Sequence, residues 1–207
     1  MSRETVSWSP GLSPGDKRLY LITSFRPDLE EFLAAAVRGG VDVVQLREKS
    51  VGDRELLRRA EETRAVTRSL GVPLVLNDRS DLAVLAGADA VHVGQDDLPV
   101  AAARRFGLAV GLSTHAPEEI DRADADYIGV GPVFATPSKP GRAAVGLDLV
   151  RYAAERARVP WFAIGGIDAS NVADVVEAGA RRIAVVRAIG DAEDPELAAR
   201  ELRGVLP

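Results

Sequence analysis

The protein has 207 residues, of which 46% are hydrophobic and 28% are charged, and 26 Lys+Arg against 31 Asp+Glu give a net charge of −5. This suits one domain with a sizeable core, because an α/β barrel can run to about 200–250 residues as a single unit. The absence of cysteine excludes disulfides, thiolate metal sites and cysteine nucleophiles. The sequence has no basic block of the kind that binds nucleic acid. It also has no apolar run of about 18 residues, the length needed to span a membrane.

Residues 1–17 are polar and rich in proline and glycine, and we predict that they form a loose arm. They lack the apolar core of a signal peptide, so the expected location is the cytoplasm. Beyond them one unit repeats: a short apolar, β-branched run, a polar end and a helical stretch. The eight runs are Arg18–Thr23, Val41–Leu46, Pro73–Asn77, Asp89–Gly94, Leu108–Ser113, Asp126–Gly131, Pro160–Gly165 and Arg182–Arg187.

Near-continuous apolar runs of this length are typical of parallel strands that are buried on both faces. Ser170 is a candidate N-cap for the helix after the seventh run. Eight strand–helix units predict an α/β fold, a (β/α)8 TIM barrel, over residues 18–207. The alternative is a doubly wound open sheet, but the first turn, TSFRPD, has no glycine. In barrel enzymes the active site lies at the carboxyl ends of the strands, so the residues after each run should carry the chemistry.

The second run ends in QLREKS, which holds Gln45, Arg47 and Lys49. Alternate residues of an extended segment share a face, so these three side chains can point the same way, with Glu48 pointing oppositely. An amide and two cations suit a heteroaromatic ring that carries phosphates, because arginine grips phosphate bidentately and lysine adds a mobile charge. A solvated basic loop is the alternative.

The third run ends in Asn77 and Asp78, and the fourth ends in GQDD, which holds Asp96 and Asp97. Neighbouring strands lie about 4.8 Å apart, so Asp78 and Asp97 can face one small volume above the barrel. Two carboxylates repel there unless a cation lies between them, and Mg²⁺ is commonly held by one or two carboxylates, waters and substrate phosphates. The alternative for Asp78 is to cap the next helix. Asp96 suits a cap or a supporting group.

Three residues near the fourth and fifth runs have less certain roles. Ser113 ends the fifth run and can either donate to a phosphate oxygen or cap a helix. His115 follows it, where catalysis is one role and capping or surface placement is the favoured one. His92 lies inside the fourth run, where the favoured interpretation is a packed core histidine.

The last three strand ends suit anion binding. The sixth run leads into a long loop, GPVFATPSKPGRAAVGLD, whose prolines lower the entropy lost when Thr136, Ser138 and Lys139 settle on a ligand. An ordinary proline-rich surface loop is the alternative. The seventh and eighth ends, GGI and VVRAI, fall in the two loops with which barrel enzymes often bind phosphate. The strand ends together predict two anionic substrates, one of them a diphosphate.

The motifs QLREK, LND, HVGQDD, GLSTH, GPVFATPSK, GGI and VVRAI, in this order, resemble the thiamine-phosphate synthase family. The resemblance implies a transferase of thiamine biosynthesis that joins 4-amino-2-methylpyrimidine-5-methyl diphosphate to a thiazole phosphate. Pyrophosphate would leave first, in a dissociative substitution, and the products would be thiamine phosphate and pyrophosphate.

The resemblance also implies roles for individual residues. The pyrimidine diphosphate would be bound by Gln45, Arg47, Lys49, Asn77, Ser113 and Lys139. The thiazole phosphate would be surrounded by Thr136, Ser138, Gly166, Val186 and Arg187. Mg²⁺, the implied cofactor, would be held by Asp78 and Asp97. Two positions depart from the family, because aspartate is often found where this sequence has Ser24 and serine is common where it has Arg187.

Three other functions share parts of this pattern. The paralogous thiazole tautomerase has the same barrel and would use a histidine such as His115, but its second acidic motif is typically degraded, whereas GQDD is intact here. A phosphate-sensing regulatory barrel would not need Asp78, Asp97 and Lys139 together. Another barrel isomerase or lyase would usually show an acid–base pair. A barrel of this kind can form a homodimer, although no apolar stripe indicates one.

Overall fold

The computed structural model describes residues 17–136 and 143–207. The predicted arm, residues 1–17, lies outside the described residues except for Lys17, and Ser138 and Lys139 lie outside them as well. The described strands close into one parallel barrel in sequence order, with the first strand pairing with the eighth. The predicted (β/α)8 barrel is therefore confirmed.

Each strand lies inside one of the apolar runs, except that β5 extends one residue beyond its run, to Thr114. The strands are β1 (Leu19–Thr23), β2 (Val43–Leu46), β3 (Leu74–Asn77), β4 (Ala90–Val93), β5 (Ala109–Thr114), β6 (Tyr127–Val130), β7 (Trp161–Ile164) and β8 (Ile183–Val185). The helices are α1 (Leu29–Arg38), α2 (Asp53–Ser69), α3 (Ser80–Leu85), α4 (Val100–Ala103), α5 (Pro117–Arg122), α6 (Gly146–Arg156), α7 (Val172–Glu177), α8 (Arg187–Gly190) and α9 (Pro195–Val205).

The prediction that Ser170 caps a helix is wrong. Helix α7 begins at Val172, with Asn171 in the capping position. The backbone N–H and hydroxyl of Ser170 instead both donate to the carboxylate of Asp168, and the Asn171 side chain accepts from the Asp168 N–H at 3.0 Å. The loop satisfies its own polar groups, which delays the start of the helix by about one residue.

Alternation along the strands divides the core into two layers. In β1, Leu19 and Leu21 pack outward against the helices, whereas Tyr20 and Ile22 belong to a separate cluster inside the barrel. Successive side chains of a strand point to opposite faces, so one alternation sends apolar residues to the helix layer and leaves the other set for the interior. The polar residues near the strand ends follow this second set toward the open end of the barrel.

Aromatic rings fill the barrel interior. Tyr20, Tyr127 and Phe162 meet edge to face, with ring centroids 5.2–6.1 Å apart, and such pairs contribute about 0.5–1.5 kcal/mol beyond the area they bury. Gly111 makes room for them, because a Cβ at this position would lie 2.5 Å from Nδ1 of His92 and closer still to the Tyr127 ring. The interior is therefore filled below the strand ends.

Three aspartates tie strands together at the opposite, amino end of the barrel. Asp42, Asp89 and Asp126 immediately precede β2, β4 and β6. Their carboxylates accept from the backbone N–H groups of Leu19 at 3.1 Å, Leu74 at 2.9 Å and Val110 at 2.8 Å. The N–H of each aspartate donates to the carbonyl of that same partner at 2.8–2.9 Å. This end of a barrel contributes to stability rather than to chemistry.

No helix in the described part of the protein is both long enough and apolar enough to cross a membrane. The cytoplasmic location and the homodimer stay predictions from the sequence.

Candidate active site

A cavity of about 640 Å³ opens at the carboxyl ends of the strands. Most of the residues predicted for the site lie in its wall: Gln45, Arg47, Lys49, Asn77, Asp78, Asp97, Ser113, Thr136, Gly166, Val186 and Arg187. Ser138 and Lys139 fall outside the described residues. The fold thus brings together side chains that are up to 142 positions apart in the sequence (Gln45 to Arg187), and their individual roles remain predictions.

The segment after β2 keeps the alternation of the strand. The N–H of Arg47 donates to the Thr23 carbonyl at 2.8 Å, so the β1–β2 ladder continues one residue beyond β2. Gln45, Arg47 and Lys49 accordingly all face the cavity. The structure therefore favours the predicted ligand-facing arrangement over a solvated basic loop.

Glu48 points the other way and supports this segment from behind. Its side chain is only 8% exposed. It accepts from the backbone N–H of Phe25 at 2.7 Å and from Arg59 at 3.0 Å. The Arg59 guanidinium also lies 5.3 Å from the centre of the Phe25 ring and bonds Glu55 at 2.7 Å. The loops after β1 and β2 are thereby joined to α2.

Two carboxylates meet above β3 and β4. Asp78 has a left-handed backbone, with φ of 63°, and its carboxylate accepts from the Lys49 ammonium. It does not cap α3, which begins at Ser80 with Arg79 in the capping position. Burial raises the pKa of Asp78, and hydrogen bonding with the neighbouring Asp97 raises it further, whereas Lys49 lowers it. Asp97 in turn accepts from the N–H of Gly94 at 2.7 Å.

The negative charges of these two carboxylates repel each other, so the pair favours a hard cation between them. Within residues 17–136 and 143–207 there is no group of three or more His, Cys, Asp or Glu that could hold a metal ion. A pair of carboxylates is nevertheless a sufficient protein donor set for Mg²⁺, which keeps several waters and takes substrate phosphates as further ligands. Burial is the main cause of the raised pKa of Asp78 and the neighbouring Asp97 adds to it; a bound cation would favour the charged form against both.

The side chain of Asn77 has an unused donor. Its Nδ2 is buried and has no hydrogen-bond partner among the described residues, although the side chain lies in the cavity wall. Buried polar groups are nearly always hydrogen-bonded in native proteins. The orphaned amide therefore indicates a place for an acceptor atom of a ligand.

Two tyrosines that the sequence analysis missed, Tyr20 and Tyr127, also line the cavity. The Tyr20 hydroxyl accepts from Nε2 of Gln45 at 2.6 Å and lies 3.0 Å from the Tyr127 hydroxyl. The Tyr127 hydroxyl lies 3.1 Å from Nδ1 of His92, whose Nε2 lies 3.0 Å from Oγ of Ser113. Burial raises the pKa of both tyrosines, so both keep their protons. We call these five residues the interior network.

The structure gives definite places to the residues with uncertain roles. His92 is packed inside the barrel, as favoured, but it also lines the cavity. Ser113 lies within β5, so it caps no helix. The expectation of a surface or capping role for His115 is wrong: it lines the cavity, because its Nδ1 contacts the carbonyl of Gly131. Asp96 is exposed and lies outside the cavity wall.

Both described ends of the long loop are fixed to the barrel. The N–H groups of Val133 and Phe134 donate to the carbonyls of Ile164 and Gly165 at 2.8 and 2.9 Å, and the N–H of Val145 donates to the carbonyl of Pro132 at 2.8 Å. Gly165 has a φ of 102°, and a Cβ there would lie 2.5 Å from Cα of Pro132.

Gly166 also has a positive φ, of 65°, and a Cβ there would lie 2.8 Å from the carbonyl oxygen of Ala135. The glycine pair therefore allows the loop after β6 to approach the end of β7. Thr136 and Gly166 consequently share one wall of the cavity.

A closed (β/α)8 barrel with a polar cavity at the carboxyl ends of its strands is the architecture of a barrel enzyme, in which the loops carry the chemistry. Cations, hydroxyls, a carboxylate pair and a glycine pair in this cavity define a site for anionic substrates.

Comparisons with known proteins agree with this class. The model of the thiamine monophosphate synthase family matches residues 19–189. The thiamine-phosphate synthase of Thermus thermophilus is 56% identical in an alignment 196 residues long, which covers 90% of this protein and 95% of that one. The enzyme of the same name from an Arthrobacter species is 50% identical and covers 92% of this protein and 94% of its own length. The solved structure of thiamine phosphate pyrophosphorylase from Pyrococcus furiosus superposes with a TM-score of 0.83 at 33% identity, covering 93% of this protein and 96% of that one.

The protein therefore belongs to the thiamine monophosphate synthase family. The family that the motifs resemble is confirmed, and so is the transferase class that the resemblance implies.

Proposed function

We propose that the protein joins 4-amino-2-methylpyrimidine-5-methyl diphosphate to a thiazole phosphate, giving thiamine phosphate and pyrophosphate. The observation that carries the proposal is the cluster of Lys49, Asp78 and Asp97 beside the unused amide of Asn77, all facing one cavity. Cationic and metal-binding groups gathered at one point suit a leaving diphosphate. The family match of the whole barrel supports the same reaction.

The proposed substitution is dissociative, so the site must stabilise the leaving group more than it must supply a base. Arg47 and Lys49 face the cavity and would bind the diphosphate oxygens, since preorganised cations act most strongly where negative charge develops. Lys139, which the sequence places in the long loop, would add a third cation. The electron-rich pyrimidine would carry the positive charge until the thiazole nitrogen captures it.

The carboxylate pair would bind the proposed cofactor, Mg²⁺. Mg²⁺ held by Asp78 and Asp97 would neutralise negative charge on the departing diphosphate. Asp78 accepts from Lys49, so this carboxylate also aims the lysine at the same place. Arg47 forms no ion pair with any residue in the described ranges, so its guanidinium can serve a ligand.

The thiazole phosphate would occupy the opposite wall. Gly166, Val186 and Arg187 line the cavity at the ends of β7 and β8, where barrel enzymes often bind phosphate. The positive φ of Gly166 leaves its backbone accessible, because no side chain covers it. Thr136 would donate its hydroxyl to the same substrate. Thr136 and the other residues of the long loop would then help exclude water from the reactive cation.

Product formation by the purified protein tests this function. The two substrates are mixed with the enzyme in Mg²⁺ or in excess chelator, and thiamine phosphate is measured. Asp97→Asn is the informative variant, because the amide oxygen can still accept from Gly94 while the charge is lost. We expect chelator to abolish turnover and the variant to reduce kcat by about 10²–10³, the usual effect of removing one electrostatic contact at a site of this kind.

Asp96→Asn is the matched control, since it makes the same change one residue away on an exposed side chain outside the cavity wall. It should retain the activity of the wild type. A folded wild-type protein that forms no product in Mg²⁺ would contradict the proposal. Binding of the thiazole phosphate without turnover would then indicate a thiazole tautomerase or a phosphate sensor, with His115 the next residue to replace.

A further inference from the structure

The interior network consists of five side chains that all line the cavity, of which Tyr20 and Tyr127 are buried and His92 is half-buried. Gln45 bonds Tyr20 at 2.6 Å, Tyr20 bonds Tyr127 at 3.0 Å, and Tyr127 bonds His92 at 3.1 Å. His92 in turn bonds Ser113 at 3.0 Å. The five side chains come from β2, β1, β6, β4 and β5, so the network crosses the whole interior of the barrel.

Its hydrogen bonds have one direction. Nε2 of Gln45 can only donate, so the Tyr20 oxygen accepts from it and the Tyr20 proton goes to Tyr127. The Tyr127 hydroxyl accepts this proton as a hydrogen bond and donates its own to Nδ1 of His92. A neutral imidazole whose Nδ1 accepts carries its proton on Nε2 and donates it to Ser113.

This direction determines what the two ends present to a ligand. The Gln45 amide uses its nitrogen on Tyr20, which leaves its carbonyl oxygen as the acceptor. The Ser113 oxygen accepts from His92, which leaves its hydroxyl hydrogen as a donor. Gln45 and Ser113 both line the cavity, so a ligand would meet an acceptor on one side and a donor on the other.

We propose that the interior network selects the substrate ring by fixing this pattern, with Tyr20, Tyr127 and His92 as positioning residues. An aminopyrimidine matches it, because its amino group can donate to Gln45 and a ring nitrogen can accept from Ser113. The oxo counterpart has the reverse pattern, a carbonyl acceptor beside a ring N–H donor. This role of the interior network rests on the proposed function, and it explains why the substrate ring must carry an amino group.

Reversal of the pattern is disfavoured because the members are coupled. If one residue reversed its hydrogen bond alone, two donors or two acceptors would face each other, and an unsatisfied buried polar group is costly. All five would have to turn together. Tyr20 and Tyr127 are 2% exposed and Gln45 is 1% exposed, so water has little access to these three residues.

Binding of two ring probes tests the proposal. The probes are the 4-amino and 4-oxo forms of 2-methylpyrimidine-5-methyl phosphate, and calorimetry gives the ratio of their affinities. In the wild type we expect the amino form to bind on the order of 10² more tightly, because the oxo form would leave a buried polar group of the site without a hydrogen-bond partner. Tyr127→Phe interrupts the network, so this ratio should fall by about tenfold or more.

Tyr152→Phe is the matched control. It removes a tyrosine hydroxyl that bonds Asp121 at 2.8 Å on the exposed surface, and it should leave the ratio unchanged. A packing defect in Tyr127→Phe would weaken both probes equally and would also leave the ratio unchanged. An unchanged ratio in folded Tyr127→Phe therefore overturns the proposal. If that variant fails to fold, Tyr20→Phe interrupts the network at its other tyrosine and takes its place.

The tautomer of His92 is a second measurement, which needs neither turnover nor ligand. The protein has only two histidines, so ¹⁵N-histidine labelling gives a spectrum in which the two rings can be assigned by a His115→Gln variant. We expect the proton of His92 on Nε2; a proton on Nδ1 would mean the opposite direction and overturn the proposal. A wild type that binds neither probe would overturn the proposed function and this choice of ligand, whereas the tautomer would still establish the direction of the network.

Discussion

Replacing Gly111 with alanine should destabilise the barrel from its interior. Gly111 lies beside Tyr127 in the β5–β6 ladder, and a Cβ there would lie 2.5 Å from Nδ1 of His92. Non-bonded atoms of this size are at their optimum at roughly 3.5–4.0 Å, so the rings would have to move by about 1 Å. Overpacking a filled core costs about 1–3 kcal/mol.

The hydrogen bonds of Tyr127 increase this effect. They are 3.0 and 3.1 Å long, and a displacement of the ring would weaken both, at about 0.5–1.5 kcal/mol each. We therefore expect the free energy of unfolding to fall by about 3 kcal/mol. In a protein of this size 1 kcal/mol corresponds to about 2–4 °C, so Tm should fall by roughly 6–12 °C in a circular-dichroism melt.

Gly204→Ala makes the same change without a steric conflict. Gly204 lies in α9, and nothing lies within 4 Å of a Cβ at that position. Alanine is favoured over glycine in a helix by up to about 1 kcal/mol, so this variant should keep or raise Tm. If the Tm of Gly111→Ala were equal to that of Gly204→Ala, the interior rings would have room to relax and the packing argument would be refuted.

Two further substitutions test the surroundings of the cavity. Glu48→Gln removes the charge that joins Phe25 and Arg59. We therefore expect the free energy of unfolding, measured by urea unfolding, to fall by about 1–2 kcal/mol. Steady-state kinetics should show a roughly tenfold lower kcat, because the substrate is bound by the adjacent cations. Asp78→Asn should raise Tm in chelator at pH 7 while abolishing turnover. The reason is that a carboxyl whose folded pKa is raised stabilises the fold only at low pH, and this contribution is lost as pH rises through that pKa. The gain in Tm should therefore vanish when the melt is repeated below about pH 4.

Each substitution has a control of the same chemistry. Glu62→Gln changes an exposed glutamate that pairs with Arg58 on α2, and exposed pairs contribute about 1 kcal/mol or less. If it matched Glu48→Gln in both assays, burial of Glu48 would be irrelevant. Arg79 lowers the pKa of Asp81, so Asp81→Asn should lower Tm at pH 7. An Asp78→Asn variant that also melted earlier than the wild type would show that Lys49 outweighs burial.

Much of the cavity was predictable because it depends on local periodicity. Alternation placed Gln45, Arg47 and Lys49 on one face before any fold was known. The order of the strands predicted that Asp78 and Asp97 would be neighbours. Both inferences use only strand geometry and the rule that parallel strands end at a common edge.

The missed features are contacts between distant parts of the sequence. Tyr20 and Tyr127 are 107 positions apart, and each stands in an apolar run where a tyrosine is typical of an ordinary core. Their meeting depends on how the barrel curves and on small neighbours such as Gly111, which alternation alone does not determine. The contact of His115 with the Gly131 carbonyl likewise depends on the path of one loop.

The three aspartates at the amino end of the barrel divide it into modules. Asp42 joins β1 to β2, Asp89 joins β3 to β4, and Asp126 joins β5 to β6. In each case the carboxylate accepts from a backbone N–H of the preceding strand, and the N–H of the aspartate donates to the carbonyl of that same residue. At the corresponding position before β8 the residue is Arg182. The first six strands thus form three consecutive pairs, each locked by a single residue of its own sequence. Closure of the ring depends on the register of β8 against β1, so the pairing of these two strands is the seam of the barrel.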